Sequence, residues 1–117
     1  MANKSTTYIN AGDASGDLTG AAITFDDFLG IFFAATWTGT PTGTLAVQAS
    51  VDGTTWFTIG TTGDGVGFTA NPAGSASSAW ANVYDVYASY VRVIYTAGSG
   101  SGTLTVKYQR KRRNQGH

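Results

Sequence analysis

At 117 residues, with 42% hydrophobic and 13% aromatic content, the chain can form one domain with its own core and is too apolar to be disordered over most of its length. It has no Cys, no Glu among its seven acids, and a single His at the last position, which argues against disulfide frameworks, thiol nucleophiles, Cys-based zinc sites and any triad that needs a held imidazole. The net charge of zero is a cancellation: residues 1–106 set Lys4 and Arg92 against seven Asp, a balance of −5, and residues 107–117 carry five cations.

Sixteen Gly, abundant Thr, Ser and Ala, and few straight-chain helix formers point to an all-β chain rich in turns. Thr6–Ala11 is predicted as a short first strand, Gly12–Gly20 as a polar loop, and Ala21–Phe25 as a second strand ending at Asp26-Asp27. Leu29–Trp37 (LGIFFAATW) is apolar on both faces. That pattern predicts a strand covered on both, by the other sheet and by a loop or a partner subunit. Thr38–Thr42, with Gly39 and Pro41, is a turn, and Thr44–Val51 alternates with Leu45, Val47, Ala49 and Val51 on one face. Asp52-Gly53 is the strongest hairpin signal, because Gly accepts the positive φ of a tight turn, and Trp56–Thr61 is the return strand.

Thr62–Ser78, with Pro72, reads as a long surface loop of the kind that carries function or an interface. Trp80–Val86 is a short strand or a turn of helix. In Tyr90–Thr96, Val91, Val93 and Tyr95 share a face, and Gly98–Gly102 turns the chain into a second hairpin. Its return strand, Thr103–Gln109, places Leu104, Val106 and Tyr108 inward. Seven or eight such strands predict an antiparallel β-sandwich, Ig-like or jelly-roll, over residues 1–109, with 110–117 as a basic C-terminal tail.

No catalytic residue, metal site or cofactor is expected. Nearly all the Asp residues sit in turn-like contexts beside Gly, Ser or another Asp, where the backbone itself favours Asp. A Ca²⁺ cluster of Asp13, Asp17, Asp26 and Asp27 is weighed and set below solvated turn carboxylates. Trp37 and Trp56 are expected to fill the core, whereas Trp80, in an Ala/Ser setting, is the candidate for a partly exposed ring that stacks on a glycan. Arg110, Lys111, Arg112 and Arg113 form the possible partner contact, read as a solvated extension or as a cluster docking on an acidic neighbour, with nucleic acid ranked third. The longest nearly apolar run, Phe28–Ala35, is far short of the roughly 20 residues that span a bilayer, and the polar N-terminus lacks a signal peptide's apolar core. A soluble, cytoplasmically made chain with no membrane partner is the expectation.

WTGTPTGTLAVQASVDGTTWFTI, followed by YVRVIYTAGSGSGTLTVKY, resembles small structural proteins of tailed and other bacteriophages. The shared features are an aromatic strand, a TGTPTGT turn, an S-x-DG-x-x-W hairpin and a YVR-aliphatic-x-Y…GSGTLTV hairpin, chiefly over positions 31–60 and 90–108. The resemblance implies a virion component made in the host cytoplasm: a capsid decoration, spike or vertex protein, or a tail-associated module. It implies a homo-oligomer that contacts other virion proteins. The alternative is a carbohydrate-binding module for host-surface adsorption.

Overall fold

The computed structural model describes residues 5–26, 28–61, 67–72, 77–84 and 87–112. Among them are nine strands and no helix. β1 (Thr6–Asp13), β4 (Phe28–Gly39), β7 (Ser78–Tyr84) and β9 (Gly102–Arg112) form a first antiparallel sheet in the order β1-β9-β4-β7. β2 (Leu18–Thr19), β5 (Gly43–Ser50), β6 (Phe57–Thr61) and β8 (Tyr90–Ala97) form a second, ordered β2-β8-β5-β6. β3 (Ile23–Thr24) also pairs with β8, so β2 and β3 share one edge as an interrupted strand.

The pairs β1·β9, β2/β3·β8, β4·β7 and β5·β6 are the rungs of one long hairpin, laid alternately into the first and second sheets. Rolling it up adds the β4·β9 and β5·β8 ladders. This interlocked arrangement is the jelly roll, so of the two sandwich types expected from the sequence the Ig-like one is set aside.

Period-2 alternation builds the core. β4 turns Ile31, Phe33, Ala35 and Trp37 inward, and β9 adds Leu104 and Val106. They meet Leu45, Val47 and Ala49 of β5 and Val91, Val93 and Tyr95 of β8. Both signature turns differ from hairpins: Thr40–Thr42 carries the chain from β4 in the first sheet to β5 in the second, and Gly98–Ser101 carries β8 back to β9. Among the described residues, only β5–β6 is a hairpin of chain neighbours. The two arches lie side by side, with Thr40 N donating to Ser101 O at 2.8 Å and Thr42 N to Ser99 O at 3.0 Å. Gly102 (φ 152°) makes this approach possible, since a Cβ there would lie 1.9 Å from Thr38 O.

Three further expectations are corrected. Val51 is exposed, because β5 ends at Ser50 and the chain turns away from the core. Residues 62–78 are not wholly a surface loop: Phe68 is fully buried, Asn71 Oδ1 accepts from Leu45 N, and Pro72 O accepts from Gly43 N. The strand over Trp80 begins earlier, at Ser78, while residues 62–66, 73–76 and 85–86 lie outside the described residues.

Candidate functional site: the outer face of the first sheet

β4 is the central strand on which the two faces of the first sheet diverge. Its inner residues are covered by the second sheet, as the two-sided apolar pattern predicts. Its outer residues are not covered: Phe32 is 39% exposed, and neighbouring Leu29 is 45%. β7 pairs Ala34 with Trp80, Phe32 with Asn82 and Gly30 with Tyr84, which puts Trp80 (50% exposed) and Tyr84 (63%) on the same face. The Phe32 and Trp80 rings stack with centroids 5.7 Å apart and planes 18° apart. Phe32 is a ridge between two shallow depressions, one of about 250 Å³ beside Gly30 and one of about 180 Å³ beside Ala34.

On the other side of β4, β9 sets Lys107 opposite Ala34, Gln109 opposite Phe32 and Lys111 opposite Gly30. Around Phe32 the residues that β7 and β9 place on this face therefore include cations and no carboxylate, whereas Asp13 of β1, opposite Thr103, stands at its far end. Four large apolar side chains on one face exceed the scattered singles normal for a surface, and such patches mark interaction sites.

The basic cluster is placed differently from the expected tail. β9 runs to Arg112, so Arg110, Lys111 and Arg112 are strand residues paired with Ile31, Gly30 and Phe28, and the boundary at 109 does not divide the chain. β4 starts at Phe28 and supplies the ladder that holds them. Arg110 lies 4.0 Å over the Phe28 ring and donates to Thr24 O at 2.7 Å, while Arg112 lies 5.1 Å from the same ring. Of this cluster Lys111 is on the outer face, and Arg113 lies outside the described residues.

The S-x-DG-x-x-W segment is a locked tip. Ser50 Oγ accepts from Asp52 N and Gly53 N and donates to Asp52 Oδ1, which also accepts from Thr54 N and Thr55 N. Those donors, the Thr55 and Thr54 amides first, hold the Asp52 carboxyl below its ordinary range. Trp37 is buried in the core as expected, but Trp56 is half-buried on the second sheet's outer face, 4.2 Å beneath the Arg92 guanidinium.

The candidate Ca²⁺ carboxylates serve the backbone. Asp13 Oδ1 accepts from Ser15 N and Oγ, which lowers its pKa, and Asp17 Oδ1 accepts from Ala97 N. Asp27 lies outside the described residues, among which no three His, Cys, Asp or Glu side chains group as metal ligands. No helix of the described residues is long and apolar enough to cross a membrane. Burial pushes the Tyr8 phenol up to about 12, where its hydroxyl donates to Ala21 O. Burial also raises Tyr95, with the Asp17 charge adding to it.

Trp80 is thus placed as the partly exposed ring that the sequence suggests. Leu29, Phe32 and Tyr84 are candidate site residues that sequence reasoning did not single out; the two-sided LGIFFAATW run was the signal for Leu29 and Phe32, whereas Tyr84 reaches the face only through the β4·β7 pairing. Compared with known proteins, the chain matches no family model and no curated protein.

Proposed function

We propose that the chain is a structural component of a bacteriophage virion, a capsid decoration, spike or vertex, or tail-associated protein, which acts by protein–protein assembly and not by catalysis. The observation that carries the reading is the bare aromatic face of Leu29, Phe32, Trp80 and Tyr84 on a rigid sheet. Aromatic anchors on a fixed scaffold bind at low entropic cost, and the cations at the rim select an acidic partner. The phage-like motifs supply the setting, and they build the arches and the locked tip that make the scaffold rigid. Jelly rolls occur in viral capsid proteins, which agrees with the reading as a fold analogy alone.

The test is incorporation into virions, with the protein located by cryo-electron microscopy. Trp80→Lys with Tyr84→Lys is expected to cut incorporation at least about tenfold. Incorporation equal to that of the unaltered chain overturns the assembly role of this face.

A second reading, a carbohydrate-binding module for host-surface adsorption, is favoured by one observation. The half-exposed Trp80 ring and the exposed Asn82 stand two residues apart on the same outer face. Glycan-array binding that is lost in Trp80→Ala, with incorporation retained, selects this reading over the first.

A further inference from the structure

The outer face of the first sheet is apolar and cationic, so the surface that fits it is apolar and acidic. This chain carries such a surface at the tip of the β5–β6 hairpin. Val51 (75% exposed) precedes the exposed Asp52, and the exposed Phe57 (64%) opens the return strand opposite Ala49. The tip is held rigid by Ser50, and all three donors to the Asp52 carboxylate end on Oδ1, which leaves the Oδ2 lone pairs for a cation from outside. The depression beside Gly30 holds about 250 Å³, room for an apolar side chain from the tip, and Lys111 lines it.

We propose that the chain self-associates head to tail: the β5–β6 tip of one copy docks on the outer face of the first sheet of the next, Val51 enters the depression beside Gly30, and Asp52 pairs with Lys111. The proposal rests on reading that face as an assembly surface, and it names the partner as a second copy. Charge complementarity selects this mode over a two-fold one. Pairing the aromatic patch with itself brings the Lys107 and Lys111 side of two copies together, and Asp13, opposite Thr103, stands at the far end of the face from that patch. A head-to-tail contact leaves a free tip and a free face at its ends, so it repeats into a ring or a filament.

Native mass spectrometry with light scattering tests this through two variants. The face variant carries Trp80→Lys and Tyr84→Lys; the tip variant carries Val51→Lys and Phe57→Ser. All four positions are half exposed or more, and unchanged thermal unfolding confirms that each variant folds. The unaltered chain is expected to form assemblies larger than a dimer, and each variant alone to need at least about tenfold more protein to associate. Mixed one to one, the variants are expected to give a heterodimer and nothing larger, because only the tip of one and the face of the other remain intact. An unaltered chain that stays monomeric at roughly 100 μM, a dimer that survives the tip substitutions, or a mixture without heterodimer overturns head-to-tail docking. If the tip variant still enters virions and the face variant does not, self-association fails while the assembly reading stands. If the mixing result holds but the protein never copurifies with virions, the assembly reading fails while self-association stands.

Discussion

Both sheets carry a tryptophan on their outer surfaces, and the chain treats the two in opposite ways. Trp56 lies beneath Arg92, whose Nε donates to Gln48 Oε1 at 2.8 Å, while Gln48 Nε2 donates to Thr58 Oγ1 at 3.3 Å. Because Arg92 is in register with Gln48, and Gln48 with Thr58, these long polar side chains cross β8, β5 and β6 and close the surface. Trp80 is covered only partly, by Phe32, which is itself exposed. On β4 the outward neighbours of Phe32 are Gly30 and Ala34, too short to shield it. On the first sheet Gln109 and the lysines of β9 stand in register beside Phe32, yet Phe32, Trp80 and Tyr84 stay exposed.

The largest expected effect separates the covered and uncovered sides of β4 itself. Phe33 is fully buried and packs against Tyr8, Phe68 and Tyr108, each with centroids 6.2 Å away. Phe33→Ala is expected to cost about 3–5 kcal/mol and to lower the unfolding midpoint by more than ~10 °C. Phe32→Ala, one residue away, is expected to change stability by less than about 1 kcal/mol while weakening association. Chemical denaturation of both variants measures the contrast, and equal losses would mean that the outer face is part of the core.

The next effect concerns the second sheet at its tip. Ser50 is buried, and its hydroxyl holds the Asp52 and Gly53 amides at 3.2 and 2.8 Å. Ser50→Ala strips both amides of that partner at an expected cost of about 1–2 kcal/mol, read from the urea midpoint. If the tip docks as proposed, association weakens as well, although the outer face of the first sheet is untouched.

A smaller effect is specific to pH. The Tyr8 phenol titrates near 10 when unfolded and at about 12 when folded, so between these values the unfolded chain has lost a proton that the folded chain keeps. Stability from this group is complete below pH 10 and falls as pH rises towards 12. With its partial exposure discounted, the loss is on the order of 1 kcal/mol. Urea midpoints at pH 9 and 11 are expected to show the fall, and Tyr8→Phe to reduce it. Tyr95, also raised by burial, retains part of the slope in that variant.

Much of this was legible in the residues. The inward sets of β5, β8 and β9 follow from strict alternation, and Asp52-Gly53 marks the β5–β6 hairpin. What stayed hidden depends on partners distant in sequence. The arches look like hairpin turns because Gly39 and Gly102 suit either, and only the β4·β9 ladder decides between them. Phe68 stands in a Gly-rich stretch with no periodicity, so nothing local marks it as core. The basic run reads as a tail because charge suggests solvent, whereas β4 extends far enough to pair Arg110–Arg112. For the site, LGIFFAATW announces two apolar faces and predicts cover on both, but only the structure shows the second one exposed at Leu29 and Phe32.

The smallest expected effect removes the difference between the two tryptophans. Arg92→Met keeps most of the alkyl stem over Trp56 but deletes the guanidinium and its bond to Gln48. An exposed cation–π pair and one side-chain hydrogen bond are together worth about 0.5–1 kcal/mol, so the unfolding midpoint should move by only a few degrees. The informative readout is Trp56. Its indole loses its polar lid, and the second sheet gains an uncovered apolar face like that of the first. Increased binding of a hydrophobic dye, or new self-association in the background of Trp80→Lys with Tyr84→Lys, is the expected result. No change in either would show that a bare aromatic face is insufficient for association, and that the lysines of β9 supply what the second sheet lacks.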